Sequence, residues 1–331
     1  MKKLLVLFLS VFLAAGAALA GDIPVPSSPL RYSLASGSSG GNFYVVGGGI
    51  ATLLNNKLPK YFTITSEETG GSTANLTLIQ NGDAEIGVAM TSSISEALEG
   101  KASWTGGPMN KIRGMIALYP SYLTVYSLSS TGIARLSDLD GKIVGLGSKG
   151  MAMESIFRKA LPAMGINPSS IFNDGHANTA EAVGSGQVQA ALLFSLPPFS
   201  AIASLEASNK LTFASLTEEQ QDYLCSNYPF YKKDVMPAGS YNGVTEDIPT
   251  ISEWNMLVTS TAVDADYVYL MTKTLLENNP ALLETYRGLS YATAKNTLNF
   301  NCPLHAGVVR YLKEIGVEIP EALIPEEYNG K

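Results

Sequence analysis

The chain has 331 residues, 46% of them apolar and 15% charged, which is enough for two domains of ordinary size with globular cores. Its formal net charge of -7 excludes nucleic acid and anionic membrane surfaces as natural partners, because both repel an acidic protein. The two histidines, His176 and His305, and the two cysteines, Cys225 and Cys302, fall into no metal-ligand spacing, so neither a metal nor a cofactor is expected.

Residues 1–20 have the three parts of a secretory signal peptide: basic Lys2 and Lys3, an apolar run from Leu4 to Leu13, and the small-residue cleavage site Ala18-Leu-Ala20. That run is shorter than the roughly 20 residues a spanning helix needs. No Cys lies near the cut at Gly21, so a soluble periplasmic product without a lipid anchor is expected. Removing Lys2 and Lys3 takes the net charge from -7 to about -9. In an exported chain Cys225 and Cys302 are either a disulfide or two buried free thiols.

From Arg31 to Leu193 one pattern occurs twice. An extended segment, Arg31-Tyr-Ser-Leu-Ala35, leads into the turn Ser36-Gly-Ser-Ser-Gly-Gly41 and a helix to Lys57. Thr69-Gly-Gly-Ser72 opens another helix, and Gly82-Asp-Ala-Glu precedes a buried strand ending at Met90. The second copy runs Lys142 to Gly147, Ser148-Lys-Gly150, a helix through Leu161, a helix from Thr179 to Val183, and Gly186-Gln-Val-Gln before a strand ending at Phe194. The pattern predicts two α/β lobes with their glycine turns at the carboxyl ends of strands, where open α/β sheets bind ligands.

A turn that follows a strand and opens a helix leaves backbone N–H groups unpaired at the positive end of the helix dipole, and so suits a carboxylate or phosphate. Ser72 is placed to be the N-cap of its helix. The turns lack the Lys-Ser/Thr ending of a P-loop and the Gly-x-Gly-x-x-Gly spacing of a dinucleotide fold. No Gly-x-Ser-x-Gly, Ser-x-x-Lys, His-Glu-x-x-His or Cys-x-x-Cys occurs, and the charged residues next to the turns are Glu67, Glu68 and Lys149. No catalytic residue is expected, and both histidines read as structural or merely exposed.

Seven ordered blocks of the chain carry a resemblance to a family. They are Ser36 to Tyr44, Glu67 to Ser72, Asn81 to Gly87, Glu96 to Gly100, Leu136 to Val144, Ser240 to Gly243 and His305 to Gly316, and together they span nearly the whole mature chain. In these blocks the chain resembles the TAXI receptors, the extracytoplasmic substrate-binding subunits of one class of tripartite ATP-independent periplasmic (TRAP) transporters. The resemblance implies a type II periplasmic-binding-protein fold, two α/β lobes joined by hinge strands, whose cleft closes on a small organic acid. It implies delivery to a TRAP membrane permease, and a monomer is expected. By the same analogy residues 21–125 begin the first lobe, 126–253 build the second and 254–331 return to the first. Leu123 to Leu128 and Trp254 to Ser260 read as strands, in keeping with hinge crossings.

The family's ligand contacts carry over at Ser38, Ser39, Gly40, Gly41 and Tyr44 in the first turn, and at Thr69, Gly71 and Ser72 in the second. Elsewhere the chain departs from the family pattern. Met90-Thr91-Ser92 stands where the family reads Gln-Ser-Asp, Gly150-Met151-Ala152-Met153 where it reads Gly-Ser-Gly-Thr, Ser195 in place of a Gly, and Phe43 in place of a Tyr. Three cleft positions thus become methionine, which suits a ligand with an apolar portion. Packing of Met151 and Met153 within their own lobe is the alternative. A periplasmic sensor or adaptor docking on a signalling receptor is the second reading of the whole chain, and an enzyme on a binding-protein scaffold a remote third.

Overall fold

The computed structural model describes residues 23–39, 41–101 and 106–330. The expected leader, 1–20, and Gly40 of the first turn lie outside the described residues.

Three βα units open the fold: β1 (Leu30–Ala35), α1 (Asn42–Lys57), β2 (Phe62–Glu67), α2 (Ser72–Asn81), β3 (Ile86–Met90) and α3 (Thr91–Glu99). A 17-residue strand, β4 (Ile112–Leu128), leads to a second set: β5 (Ile143–Gly145), α4 (Ala152–Ala163), β6 (Ser170–Phe172), α5 (His176–Gly184), β7 (Ala190–Ser195) and α6 (Ser200–Glu206). Then come β8 (Leu211–Phe213), α7 (Glu218–Asn227), β9 (Lys232–Met236) and a 13-residue strand, β10 (Ile248–Ser260). The chain finishes with α8 (Ala265–Glu277), α9 (Asn279–Thr285) and α10 (Ala306–Glu314).

The strands form one sheet in the order β2-β1-β3-β10-β4-β7-β5-β6, with β8 on β4 and β9 on β10. Pairing within β2-β1-β3 and within β7-β5-β6 is parallel, as βα units require. The long strands β4 and β10 pair antiparallel from Ser252 opposite Tyr122 to Ser260 opposite Ile112. Beyond that point they part to other neighbours: Tyr122 to Ser127 pair with β7, and Ile248 to Ser252 with β9.

The apolar clusters divide at the same place. One holds β1 to β3, β4 as far as Tyr119, and Met256 to Val258 of β10, under α1, α8 and α10. Two others flank the far half of the sheet: one packs Phe157, Tyr231 and Ile251 around Leu123 and Val125, the other packs Tyr241, Phe213 and Leu193 around Tyr126. These are two α/β lobes built on one shared sheet.

The repeated glycines have a common role. Gly82 (φ 85°) and Gly186 (φ 77°) take the left-handed conformation that ends α2 and α5, turning the chain into β3 and β7. The two cysteines are free thiols, Cys302 buried and Cys225 half-buried.

Candidate functional site

The carboxyl ends of β1, β2 and β3 in one lobe and of β5, β6 and β7 in the other each feed directly into a helix, so six helix N-termini open at the two sets of strand ends. None of these six, α1 to α6, has a side-chain hydrogen bond from its capping residue. The helices α7, α8 and α10 are closed by the side chains of Thr217, Asp264 and His305. At α3 the Ser92 N–H of the first turn is taken by Glu253 Oε2; at the other five, N–H groups left without a capping side chain at the positive end of the dipole are suited to an anionic group.

In the first lobe the three loops are fastened to one another. The amide of Asn75 is fully buried; its Nδ2 donates to the backbone oxygens of Ser36 and Val88 at 2.7 Å each, and its Oδ1 accepts from the Thr69 hydroxyl. One side chain therefore ties the ends of β1 and β3 to the β2–α2 loop. Thr69 Oγ1 also accepts from Gly71 N–H at 3.1 Å, and Thr69 N–H donates to the Gly37 oxygen at 3.3 Å. Ser39 N–H donates to Glu68 Oε1 at 2.9 Å.

Ser72 is not the N-cap expected from sequence. Gly71 takes that position at φ 89°, which only glycine adopts readily, and the Ser72 hydroxyl accepts from Met90 N–H at 3.1 Å. Gly41 caps α1 with its N–H turned back to the Ser38 oxygen at 3.0 Å, while Ser38 and Tyr44 are exposed. Ser39, Thr69, Gly71, Ser72 and Met90 are thus brought together beside Ser38 and Gly41. Thr91 is buried at 2% exposure, its hydroxyl accepting from Trp254 N–H and its oxygen from Asn301 Nδ2.

In the second lobe the oxygen of Gly147 accepts from Asn173 Nδ2 at 2.9 Å, and Arg158, which also bonds Glu154 on its own helix, donates to Asn173 Oδ1. Gly150, at φ 85°, and Met151, at 36% exposure, lie on the surface. Met153 is 6% exposed and belongs to the apolar cluster around Phe157. Ser195 is buried where β7 meets Tyr122 of β4.

His176, read from sequence as structural or merely exposed, is the first residue of α5 and lies beside this group. A Cβ on Gly147 would sit 3.1 Å from its Cε1 and 3.3 Å from Met151 Sδ, and its ring packs edge-on to Phe199 at 5.8 Å. Burial lowers its pKa below the usual value, so the ring is neutral at neutral pH. Its signal was its place, four residues after the end of a short strand and opening a helix, the same position as the glycine turns.

The two loop sets connect through tyrosines. Asn42 Nδ2, at the start of α1, donates to the Tyr286 hydroxyl at 3.0 Å, and Tyr286 lies close enough to Tyr241 for the two phenols to interact. Tyr241, stacked on Phe213, accepts from Phe199 N–H at 3.0 Å at the start of α6. A side chain on Gly288 would strike both Tyr286 and Leu196, so the return segment of the first lobe lies directly against the β7–α6 loop. Among the described residues no group of three His, Cys, Asp or Glu is arranged to hold a metal ion.

A family model described as NMT1-like matches residues 34–316. Among solved structures, the chain is similar to a histidine kinase sensor domain described as resembling periplasmic binding proteins, at 10% identity over 81% of this chain and 99% of that one, with a TM-score of 0.50. It is also similar to a structure concerned with glutathione import in Gram-positive bacteria through GshT and the cystine importer of Streptococcus mutans, at 11% identity over 80% and 96% of the two chains, with a TM-score of 0.51. The alkanesulfonate-binding protein of Xanthomonas axonopodis pv. citri, bound to MOPS, matches at 15% identity over 88% and 92%, with a TM-score of 0.47. At such identities the likeness is one of fold, and the fold is the two-lobed type II periplasmic-binding-protein fold.

Proposed function

This chain belongs to the NMT1-like family, and from that premise we propose that it is a periplasmic solute receptor of the TAXI type, which captures a small organic acid with an apolar portion and hands it to a TRAP membrane permease. The observation that carries the reading is the set of five helix N-termini, those of α1, α2, α4, α5 and α6, without capping side chains at the strand ends of both lobes; the sixth, that of α3, already holds the Glu253 carboxyl. Backbone donors in that number favour a carboxylate over a cation, and they do so without catalytic side chains.

The proposed contacts in the first lobe, residues 21–125 and 254–331, are Ser38, Ser39, Gly40, Gly41, Tyr44, Thr69, Gly71 and Ser72. In the second lobe, 126–253, they are Gly150, Met151 and Ser195, and His176 joins them. Exposed Met151 and neutral His176 supply a soft wall for the apolar portion. Met153 and Thr91, both buried, support the loops from beneath.

The reading is tested by a thermal-shift screen of mono- and dicarboxylic acids of graded apolar size. At a ligand concentration a hundredfold above Kd the stabilisation is about 2.7 kcal/mol, a melting shift of several degrees for a chain of this size. An acid with an apolar body is expected to stabilise most. A panel in which no acid shifts the melting point overturns the reading.

A further inference from the structure

Among the described residues two acids are buried, Glu154 and Glu253. Glu154 has Arg158 one helical turn away. Glu253, at 1% exposure, has no ion-pair partner among the described residues, and its Oε2 accepts from Ser92 N–H at 3.1 Å in the first turn of α3. It stands on β10 at the end of the stretch paired with β4, opposite Ser121 and one residue from the point where β10 turns to β9.

The groups around Glu253 come from both lobes. From the first, α3 presents Ser92 and, one turn on, Glu96, whose carboxyl is itself pushed up by burial and pulled back in part by Lys159 of α4. From the second, Tyr231 lies close enough for its phenol to feel the Glu253 charge, with Glu96 adding to it. Tyr231 is stacked on Phe194 at 5.1 Å, and its buried hydroxyl has no hydrogen-bond partner among the described residues. Two carboxyls and an unpaired phenol therefore share a joint, and at its edge Lys159, Lys101 and Glu99 also act on Glu96, the lysines pulling its carboxyl down and Glu99 pushing it up.

We propose that Glu253 couples a proton to closure of the two lobes: the closed joint holds it as the neutral acid, and opening, which admits water between Ser92 and Tyr231, releases the proton. The proposal rests on the two-lobe receptor reading. Burial, opposed by the Ser92 hydrogen bonds and reinforced by Glu96, pushes the Glu253 carboxyl up to about 7. A hydrated joint returns it to the ordinary carboxylate range. The sign follows from the raised value: the closed state's advantage is complete below that ordinary range, is lost as pH rises to about 7, and is constant above it. At tenfold per pKa unit, the closed-to-open ratio changes by roughly two orders of magnitude across the window.

The test uses ligand-free protein, with spin labels at Lys60→Cys on the first lobe and Lys210→Cys on the second in a Cys225→Ser background, and reads the interlobe distance by pulsed EPR from pH 4.5 to pH 8. Wild-type protein is expected to move from a short to a long distance with rising pH, and Glu253→Gln to stay short throughout. Glu96→Gln, a half-buried surface change, removes the like charge and is expected to shift the midpoint to lower pH, so the test survives if Glu253→Gln does not fold. A pH-independent distance in wild type, a wild-type pH response in Glu253→Gln, or an unmoved midpoint in Glu96→Gln overturns the proposal. Because no ligand is present, a negative result removes the role of Glu253 and leaves the acid screen standing, while failure of the screen leaves this titration readable.

Discussion

Single residues divide into those that hold the loops and those that face outward, and the two methionines of the β5–α4 turn show how the division arises. Met153, Ile156, Phe157, Ala160 and Leu161 recur at the three- and four-residue spacing of one helix face, and all are buried. Met151 caps the helix and falls outside that stripe. The distinction was legible in the spacing, although composition alone made the two look alike. Met153→Ala is expected to destabilise the protein by about 2–5 kcal/mol with little change in ligand preference. Met151→Ser is expected to leave stability within about 0.5 kcal/mol while weakening an acid with an apolar body roughly tenfold. Urea denaturation and calorimetric titration separate the two effects, and equal behaviour of the two variants would remove Met151 from the site.

Asn75 was hidden for the opposite reason. A polar residue on the buried face of an amphipathic helix reads as an imperfection until its partners are known, and those partners are carbonyls 39 and 13 residues away in sequence. Asn75→Leu strands both carbonyls, at roughly 1–3 kcal/mol for each group left unsatisfied, and is expected to lower the urea midpoint accordingly.

His305 caps α10 through Nδ1 and is held well below its ordinary pKa, at about 4, first by burial. A depressed value means that its contribution to stability is present above the unfolded pKa of about 6.5 and is lost as pH falls toward 4. Thermal melts are therefore expected to fall between pH 6.5 and 4, and His305→Asn, a cap that does not titrate, to flatten that part of the profile.

Among the elements, the βα units were the most legible. Their punctuation is local: Gly82 and Gly186 end helices because their left-handed φ suits glycine, and the apolar strands after them are short and unbroken. The crossing strands were only half visible. β4 begins at Ile112 and β10 at Ile248, well before the segments that read as strands, because both are buried along nearly their whole length and show no alternation; Pro120 interrupts the pattern further. The helix N-termini give the element-scale prediction. A side chain at Gly41 would approach the Ser38 oxygen at 3.1 Å, close enough to need only a small adjustment. Gly41→Val is expected to fold with near-native stability yet lose ligand-induced stabilisation in thermal shift. Full retention of the ligand response would take the first turn out of the site.

For the whole molecule, the two-lobed fold was legible because its repeat is written in the sequence, and the crossings were expected near Leu123 and Trp254, whereas the side chains that meet at the joint were not legible. Glu253 and Tyr231 are 22 positions apart, and Glu253 meets Ser92 only across the sheet. Nothing local marks them, since their meaning comes from the parting of β4 and β10 to different neighbours. In the proposed receptor a small acid is held between the strand-end loops of both lobes. Hydrogen–deuterium exchange with and without the acid that stabilises best tests it most directly. Slowed exchange is expected in residues 38–45 and 69–73 of the first lobe together with 147–152, 174–178 and 195–200 of the second. Protection confined to one lobe, or spread through the cores with no focus on these loops, would contradict it.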